Sequence, residues 1–247
     1  MLEARLGNAV RFEDWPSNFD RCFLIEPGGL TGWFEKPGSR RTEEGRPIGH
    51  GLFDAPVWLS GRVVAISGMI LAGSPAELVH MQAQLTGLRF QESIRLTVDS
   101  ADGTTWADVK VLDVQTPPDG VTGTETPFMV QMVAANPRRF GETRLFAGSS
   151  VQAFHYGNFD AIPEVTVTGP VSAPYTVASG GRSVTVTQAL TSGQTHRIDM
   201  STGWVYRNGV LQSGVTSAVN VFVIPPGMPT VVTGPSSMTV KVTETFI

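Results

Sequence analysis

The second half of this chain combines few charges with short alternating segments, and together these features strongly favour β-structure. Residues 146–247 contain only four basic and four acidic residues, against 25 serines and threonines and 17 valines. Threonine and valine suit the half-buried surface of a pleated sheet, whereas helical surfaces carry more charge. Valine alternates with polar residues in segments such as Pro163–Gly169 and Arg182–Thr187, and such segments recur about every 8–12 residues. This pattern predicts an antiparallel β-sandwich of about seven or eight strands, because parallel strands would need crossover helices for which there is no room.

Turn signals delimit the strands of this half. Asn208-Gly209 predicts a tight hairpin, since both residues accept a positive φ. The last three strands are predicted at 219–224, 230–233 and 238–246. Asp199 follows a strand, and we expect its carboxylate to accept backbone N–H groups in the next turn.

The first half is predicted to be mixed, with several strands and one helix. Strands are predicted at 55–59, 62–67, 94–98, 106–112 and 127–133. Ser74, Pro75 and Glu77 form a capping box with proline in the first turn, which predicts the start of a helix. Its apolar positions fall on one face, which we expect to pack on the sheet: Leu78, Met81, Leu85 and Leu88.

The composition changes near Asn136–Gly141, where a proline discourages helix. We therefore predict an N-terminal β domain, sandwich-like or barrel-like with one α-helix, at residues 1–140. A C-terminal antiparallel β-sandwich is predicted at residues 141–247.

Charge and hydropathy argue against nucleic-acid binding and membrane insertion. The formal net charge is -4, and no basic stripe of the kind that phosphates need is visible. The densest basic segment contains Arg40, Arg41 and Arg46, but Glu43 and Glu44 interrupt it, so a solvated loop is the better interpretation. No segment reaches the ~18 apolar residues of a membrane span, and no signal peptide is visible.

The sequence offers no recognisable catalytic, cofactor or metal site, so we expect a protein that is not an enzyme. Cys22 is the only cysteine, and we expect it to be a small buried or half-buried residue. The histidines His50, His80, His155 and His196 lack paired metal-ligand spacing and are predicted in loops or at the surface. A nucleophile elbow is absent as well.

Short motifs follow one another in a characteristic order in the first half. The segment 51–62, Gly-Leu-Phe-Asp-Ala-Pro-Val-Trp-Leu-Ser-Gly-Arg, precedes the strand at 63–68 and the capped helix. This order resembles the Gly-Arg strand, short turn and helix of the distal tail protein family of siphovirus-type phages. The segment 128–138 resembles its closing strand, with Asn136 where the family has aspartate.

The second half continues the resemblance. Asn158–Pro163, followed by Val165–Gly169, resembles the entry strand of the family's galectin-like, jelly-roll type domain, although Phe159-Asp160 replaces the usual glycine. The segments 196–203 and 221–227 resemble a later strand and turn and a later Pro-Gly step. The resemblance covers the chain from about residue 20 onward.

The resemblance implies a structural subunit of the tail tip and virion. In this family the first domain forms a homohexameric ring facing the tail tube protein. The second is an outward platform that docks baseplate, tail-fibre or receptor-binding proteins, and assembly takes place in the host cytoplasm. An alternative is a carbohydrate-binding module, in which Trp204 stacks on a sugar, although packing is the commoner role of a tryptophan beside a hairpin. A wall-degrading enzyme is the least supported hypothesis.

A ring needs two different complementary patches on every subunit. Trp33 and Phe34 are candidate interface residues, with core packing as an equal alternative for both. Arg40 and Arg41 belong to the charged loop 38–49, which could extend onto a neighbouring subunit.

Overall fold

The structure is a computed structural model that describes residues 1–41, 46, 48, 50, 53–54, 56–117 and 123–247. The chain divides into two compact units, residues 1–139 together with residue 247, and residues 140–246. Segments 42–45 and 51–52, which contain parts of the charged loop and of the Gly-Arg motif, lie outside the described residues.

The described part of the first unit contains nine strands and one α-helix. Their bounds are β1 Glu3–Leu6, β2 Val10–Glu13, β3 Cys22–Thr31, β4 Ser39–Arg40, β5 Trp58–Leu59, β6 Arg62–Leu71, α1 Pro75–Gly87, β7 Ile94–Ser100, β8 Gly103–Gln115 and β9 Glu125–Ala134.

Seven of these strands close into a barrel in the order β7-β1-β2-β3-β6-β9-β8, because β8 pairs with both β9 and β7. All of these pairs are antiparallel except β2 with β3. The strands β4 and β5 form a separate two-stranded arm.

Alternation of apolar and polar residues sets the inward face of each barrel strand. In β6, buried and partly exposed residues alternate from Arg62 to Leu71. The rings of Phe12, Phe23 and Phe128 meet inside the barrel with centroids 5.5–6.1 Å apart. The predicted barrel-like β domain with one helix is thus confirmed.

The helix α1 begins as the capping signals predict. The Ser74 hydroxyl accepts the Glu77 N–H at 3.3 Å, while the Glu77 carboxylate accepts the Gly73 N–H at 3.0 Å, one residue before the cap. A single 3-10 turn, Leu88–Phe90, follows the helix. The apolar face is buried against the barrel: Leu78, Met81, Leu85 and Leu88.

The second unit contains eleven described strands in two antiparallel sheets. Their bounds are β10 Arg139–Ala147, β11 Ser150–Ala153, β12 Glu164–Thr168, β13 Tyr175–Ser179, β14 Arg182–Val186, β15 Thr195–Asp199, β16 Trp204–Arg207, β17 Val210–Gln212, β18 Thr216–Val219, β19 Thr230–Thr233 and β20 Met238–Phe246.

The strand orders are β17-β16-β15-β12-β20-β10 and β11-β19-β13-β14-β18. Valines of both sheets share one core, for example Val165 and Val240 from the first and Val184 and Val232 from the second. The predicted mainly β fold with a sandwich is therefore confirmed, and the galectin-like detail remains a prediction.

One detail of the strand prediction changes in this unit, and one turn is confirmed. The predicted strand at 219–224 is wrong over most of its length, because β18 ends at Val219 and only Ile224 forms an isolated bridge, with Ala161. The Asn208-Gly209 hairpin is confirmed, with φ angles of 48° and 84° between β16 and β17.

Candidate functional site

The described residues present interaction surfaces rather than a cluster of converging reactive groups. No group of three or more His, Cys, Asp or Glu side chains that could hold a metal ion occurs among them. Within the same ranges, no helix is long and apolar enough to cross a membrane. Cys22 is buried as expected, and burial raises the pKa of its thiol.

His196 contradicts the prediction of a loop or surface position because it is buried in β15, whereas His155 lies in a loop as predicted but is buried there. His50 and His80 are exposed. The Nδ1 of His155 accepts the Gly157 N–H at 3.0 Å, and its Nε2 lies 3.0 Å from the Ile224 carbonyl. Because both ring nitrogens have partners, the imidazole can be buried without leaving a polar atom unpaired.

His196 belongs to a buried polar chain that joins the two sheets. Its Nδ1 lies 2.6 Å from the Tyr175 hydroxyl, and its Nε2 lies 3.1 Å from the Gln188 Oε1. An amide oxygen only accepts, so Nε2 carries the proton and Nδ1 accepts from the tyrosine. Burial lowers the pKa of His196, and the charge of Arg207 lowers it further. The hydroxyl of Tyr175 has its pKa raised by burial. These hydrogen bonds and the lowered pKa therefore favour the neutral form of the His196 imidazole.

Arg62, at the start of β6, organises the segment that follows β3. It is 1% exposed, and its Nη1 lies 2.7–2.8 Å from the carbonyl oxygens of Gly32, Trp33 and Glu35. Its Nε donates to the Pro137 carbonyl at 3.0 Å. Burial, with the charge of Arg139 adding to it, lowers the pKa of Arg62 to about 10.

The structure separates the two aromatic interface candidates. Trp33 has no exposed surface and donates its Nε1–H to the Thr105 hydroxyl at 3.2 Å, so it is a core residue and offers no contact surface. Phe34 is 46% exposed and stays a predicted interface residue. The Arg139 guanidinium lies 5.6 Å from the Phe34 ring centroid.

Arg40 and Arg41 lie at the β4–β5 arm, and both are exposed. Arg40 faces Trp58, which is 64% exposed, across the two strands. The nearest carboxylate oxygen of Asp54 is 3.9 Å from Arg41, which makes a weak surface pair. Their interface role stays a prediction.

Trp204 lies on the outer face of the β17–β10 sheet and is 54% exposed. On the same face the Arg197 guanidinium stacks 4.0 Å from the Tyr206 ring centroid and donates to Glu164 at 2.8 Å. Next to it, Asp199 accepts the Ser201 N–H at 2.8 Å, which confirms the predicted turn contact. This face combines aromatic and charged groups, but most of the charges already have partners.

One surface of the first unit was missed by sequence reasoning. Trp15 and Phe19, on the connection between β2 and β3, are 69% and 47% exposed, and their rings meet edge to face at 5.7 Å. They border an apolar groove of about 560 Å³ whose charged lining residues are Asp14 and Glu26. A connection of eight residues between two strands has no periodic pattern, so nothing in the sequence indicates that these rings stay exposed.

The described fold defines the class of the protein, a closed β-barrel with a covering helix followed in the chain by an antiparallel β-sandwich. Among solved structures it is similar to the Dit (gp 19.1) protein of SPP1, described as a paradigm of the hub adsorption apparatus in Gram-positive infecting phages. The TM-score is 0.76 at 13% identity, and the match covers 100% of both chains.

Chains of the phage P2 baseplate in its activated conformation are similar as well. With Ca, the TM-score is 0.50 at 8% identity over 98% of this chain and 90% of the other. With Sr, it is 0.53 at 7% identity over 99% and 98%. No protein-family model matches the sequence, and no curated protein matches it. The predicted resemblance to distal tail proteins is confirmed at the level of the fold.

Proposed function

We propose that this chain is a structural, non-enzymatic subunit of a phage tail tip that forms a hexameric ring between the tail tube and the baseplate or receptor-binding apparatus. The observation that carries the proposal is the match over the full length of both chains to the SPP1 hub protein, with a TM-score of 0.76. Both units are matched together, so the proposal concerns the whole described chain.

The two units take different parts in this proposal. Residues 1–140 build the ring and face the tail tube, and residues 141–247 form the outward docking platform. The arm that carries Arg40 and Arg41, together with Phe34, supplies exposed groups to the contacts of the first unit. Assembly would take place in the host cytoplasm before the particle is released.

Electron microscopy of the purified full chain, combined with light scattering across a range of concentrations, tests the proposal. We expect six-fold rings with a central channel and a mass of about 160 kDa, six times the 26.5 kDa chain. A monomer at every concentration, with no rings on the grid, would refute the hexameric ring.

A carbohydrate-binding module remains the second candidate, because Trp204 lies half-exposed beside the Tyr206–Arg197 stack. Exposed tryptophan rings suit the apolar face of a sugar ring. A glycan array should then show binding that Trp204→Ala abolishes and that Trp15→Ala, an exposed tryptophan of the other unit, leaves intact. An array without binding removes this candidate and does not affect the ring.

A further inference from the structure

The groove beside Trp15 and Phe19 has the chemistry of a site for an apolar side chain accompanied by a cation. Its aromatic rings, those of Trp15 and Phe19, are exposed to solvent, and exposed apolar surface of this kind is typical of an interaction site. Its charged lining is acidic, supplied by Asp14 and Glu26, and no basic side chain lines it. A tryptophan ring next to carboxylates attracts a guanidinium or ammonium group.

The same unit carries a protrusion of matching chemistry at the end of α1. Phe90 is 89% exposed, although Leu88 in the same 3-10 turn is buried and anchors that turn on the barrel. Arg89 lies beside it with a half-exposed side chain. Its carboxylate partner Asp113 is 3.7 Å away, a surface pair that is easily exchanged for another.

The groove lies near the start of α1 and the protrusion follows its end, so the two are about a helix length apart within one chain. The start of α1 is fixed near the groove, where Arg21 pairs with Glu77 at 3.1 Å two residues after Phe19. The helix then runs its 13 residues, a length of about 20 Å. In its last turns Gln84 donates to the Ala9 carbonyl at the β1–β2 turn, away from the groove. Phe90 lies beyond that end.

We propose that Phe90 and Arg89 of one copy enter the Trp15–Phe19 groove of the next copy, with the phenyl ring against the aromatic rings and the guanidinium beside Glu26. Two different patches about a helix length apart on one subunit give a head-to-tail contact, and this is the kind of contact that closes a ring by rotation. The inference rests on the proposed ring and names the surfaces that join its subunits.

Cross-linking of the full chain locates the contact directly. The double variant Ser17→Cys with Gln91→Cys, two exposed positions that flank the contact and leave its aromatic rings in place, should give covalent oligomers up to the hexamer with a short bismaleimide. Each single variant should give none, because the only other cysteine, Cys22, is buried. Absence of cross-links in the double variant, when rings are seen on the grid, overturns the inference.

Substitutions measure the strength of the contact by sedimentation over a concentration series. Phe90→Ala and Trp15→Ala should each weaken association about 10- to 100-fold, the effect of removing one buried aromatic side chain. Trp204→Ala, an exposed tryptophan of the second unit, is the matched control and should have no effect. Unchanged circular dichroism would show that these exposed positions do not disturb folding.

Charge reversal tests the pairing of Arg89 with Glu26. Arg89→Glu and Glu26→Arg should each weaken association, and the chain that carries both should recover it, since every contact would again join opposite charges. Failure of the double variant to recover, or rings unaffected by all of these variants, overturns this contact but leaves the hexameric ring standing. A chain that never associates overturns both.

Discussion

Replacing Arg62 by methionine should destabilise the first unit substantially, although it removes a buried charge. A buried ion pair can often be replaced by apolar residues without loss, because both charges disappear together. The partners of Arg62 are backbone carbonyls of the 32–35 segment and of Pro137. They remain after the substitution and lose their donor, so the sign of the effect is reversed.

The magnitude follows from the bonds and the pKa of Arg62. Three N–H groups, two on Nη1 and one on Nε, serve these four carbonyls and contribute about 6 kcal/mol at ~2 kcal/mol each. Lowering the pKa from 12.5 to about 10 corresponds to an opposing cost of about 3 kcal/mol. The balance predicts that Arg62→Met lowers the free energy of unfolding by about 3 kcal/mol. Arg62→Lys should lose less, since an ammonium keeps the charge and some of the bonds.

Urea unfolding followed by tryptophan fluorescence can isolate this effect. Four of the five tryptophans lie in the first unit, so a Trp204→Phe background makes the signal specific to it. Arg5→Met serves as the control, because Arg5 pairs with Asp99 at the barrel surface and should cost less than ~1 kcal/mol. If Arg62→Met and Arg5→Met have the same stability within error, the carbonyl contacts of Arg62 contribute nothing net and the reasoning is refuted.

Three further predictions concern stability. Burial lowers the pKa of His196 below its ordinary 6.5, so on acidification the unfolded chain takes up a proton before the folded one. The second unit should therefore keep its full stability above about pH 6.5 and become less stable below it. In urea titrations at several pH values, His196→Gln should flatten this dependence. Leu85→Ala leaves a cavity under α1 and should lower the free energy of unfolding by about 2–5 kcal/mol. Ala83→Gly, at an exposed position of the same helix, should lower it by less than ~1 kcal/mol, and equal urea midpoints for the two variants would contradict the packing of Leu85. Gly32 has φ +75° and a side chain there would meet a backbone carbonyl at 1.9 Å, so Gly32→Ala should lower the thermal midpoint of the first unit by several degrees, and an unchanged melting curve would contradict the strain.

The strands of the mainly β fold and its helix were predictable because their signals are local in the sequence. The valine alternation of β12 and β14 and the capping signals of α1 depend on neighbours a few residues away. The prediction of a strand at 219–224 was wrong because a continuous apolar run indicates burial without indicating a strand. The structure places Phe222 in the core outside any strand.

Contacts between distant residues could not be predicted in the same way. The burial of His196 depends on Tyr175 from another sheet, 21 positions away, and that of Trp33 depends on Thr105, 72 positions away. Likewise, the exposure of Trp15 and Phe90 depends on how distant elements pack around the barrel, and the spacing of neighbouring residues in the sequence does not indicate it. Sequence patterns therefore predicted the elements and the turn at Asp199, while the surfaces required coordinates.

The circular pairing of the seven strands limits how copies of the first unit can join. Within the described ranges, each barrel strand has a neighbour on both sides, but β2 pairs with β3 only at Phe12–Glu13 and Phe23–Leu24. Backbone N–H and C=O groups that a foreign strand could pair with therefore lie outside these short registers, as in β3 after Leu24. Over the rest of the barrel, docking has to use side chains, whose contacts can separate without unfolding the subunit.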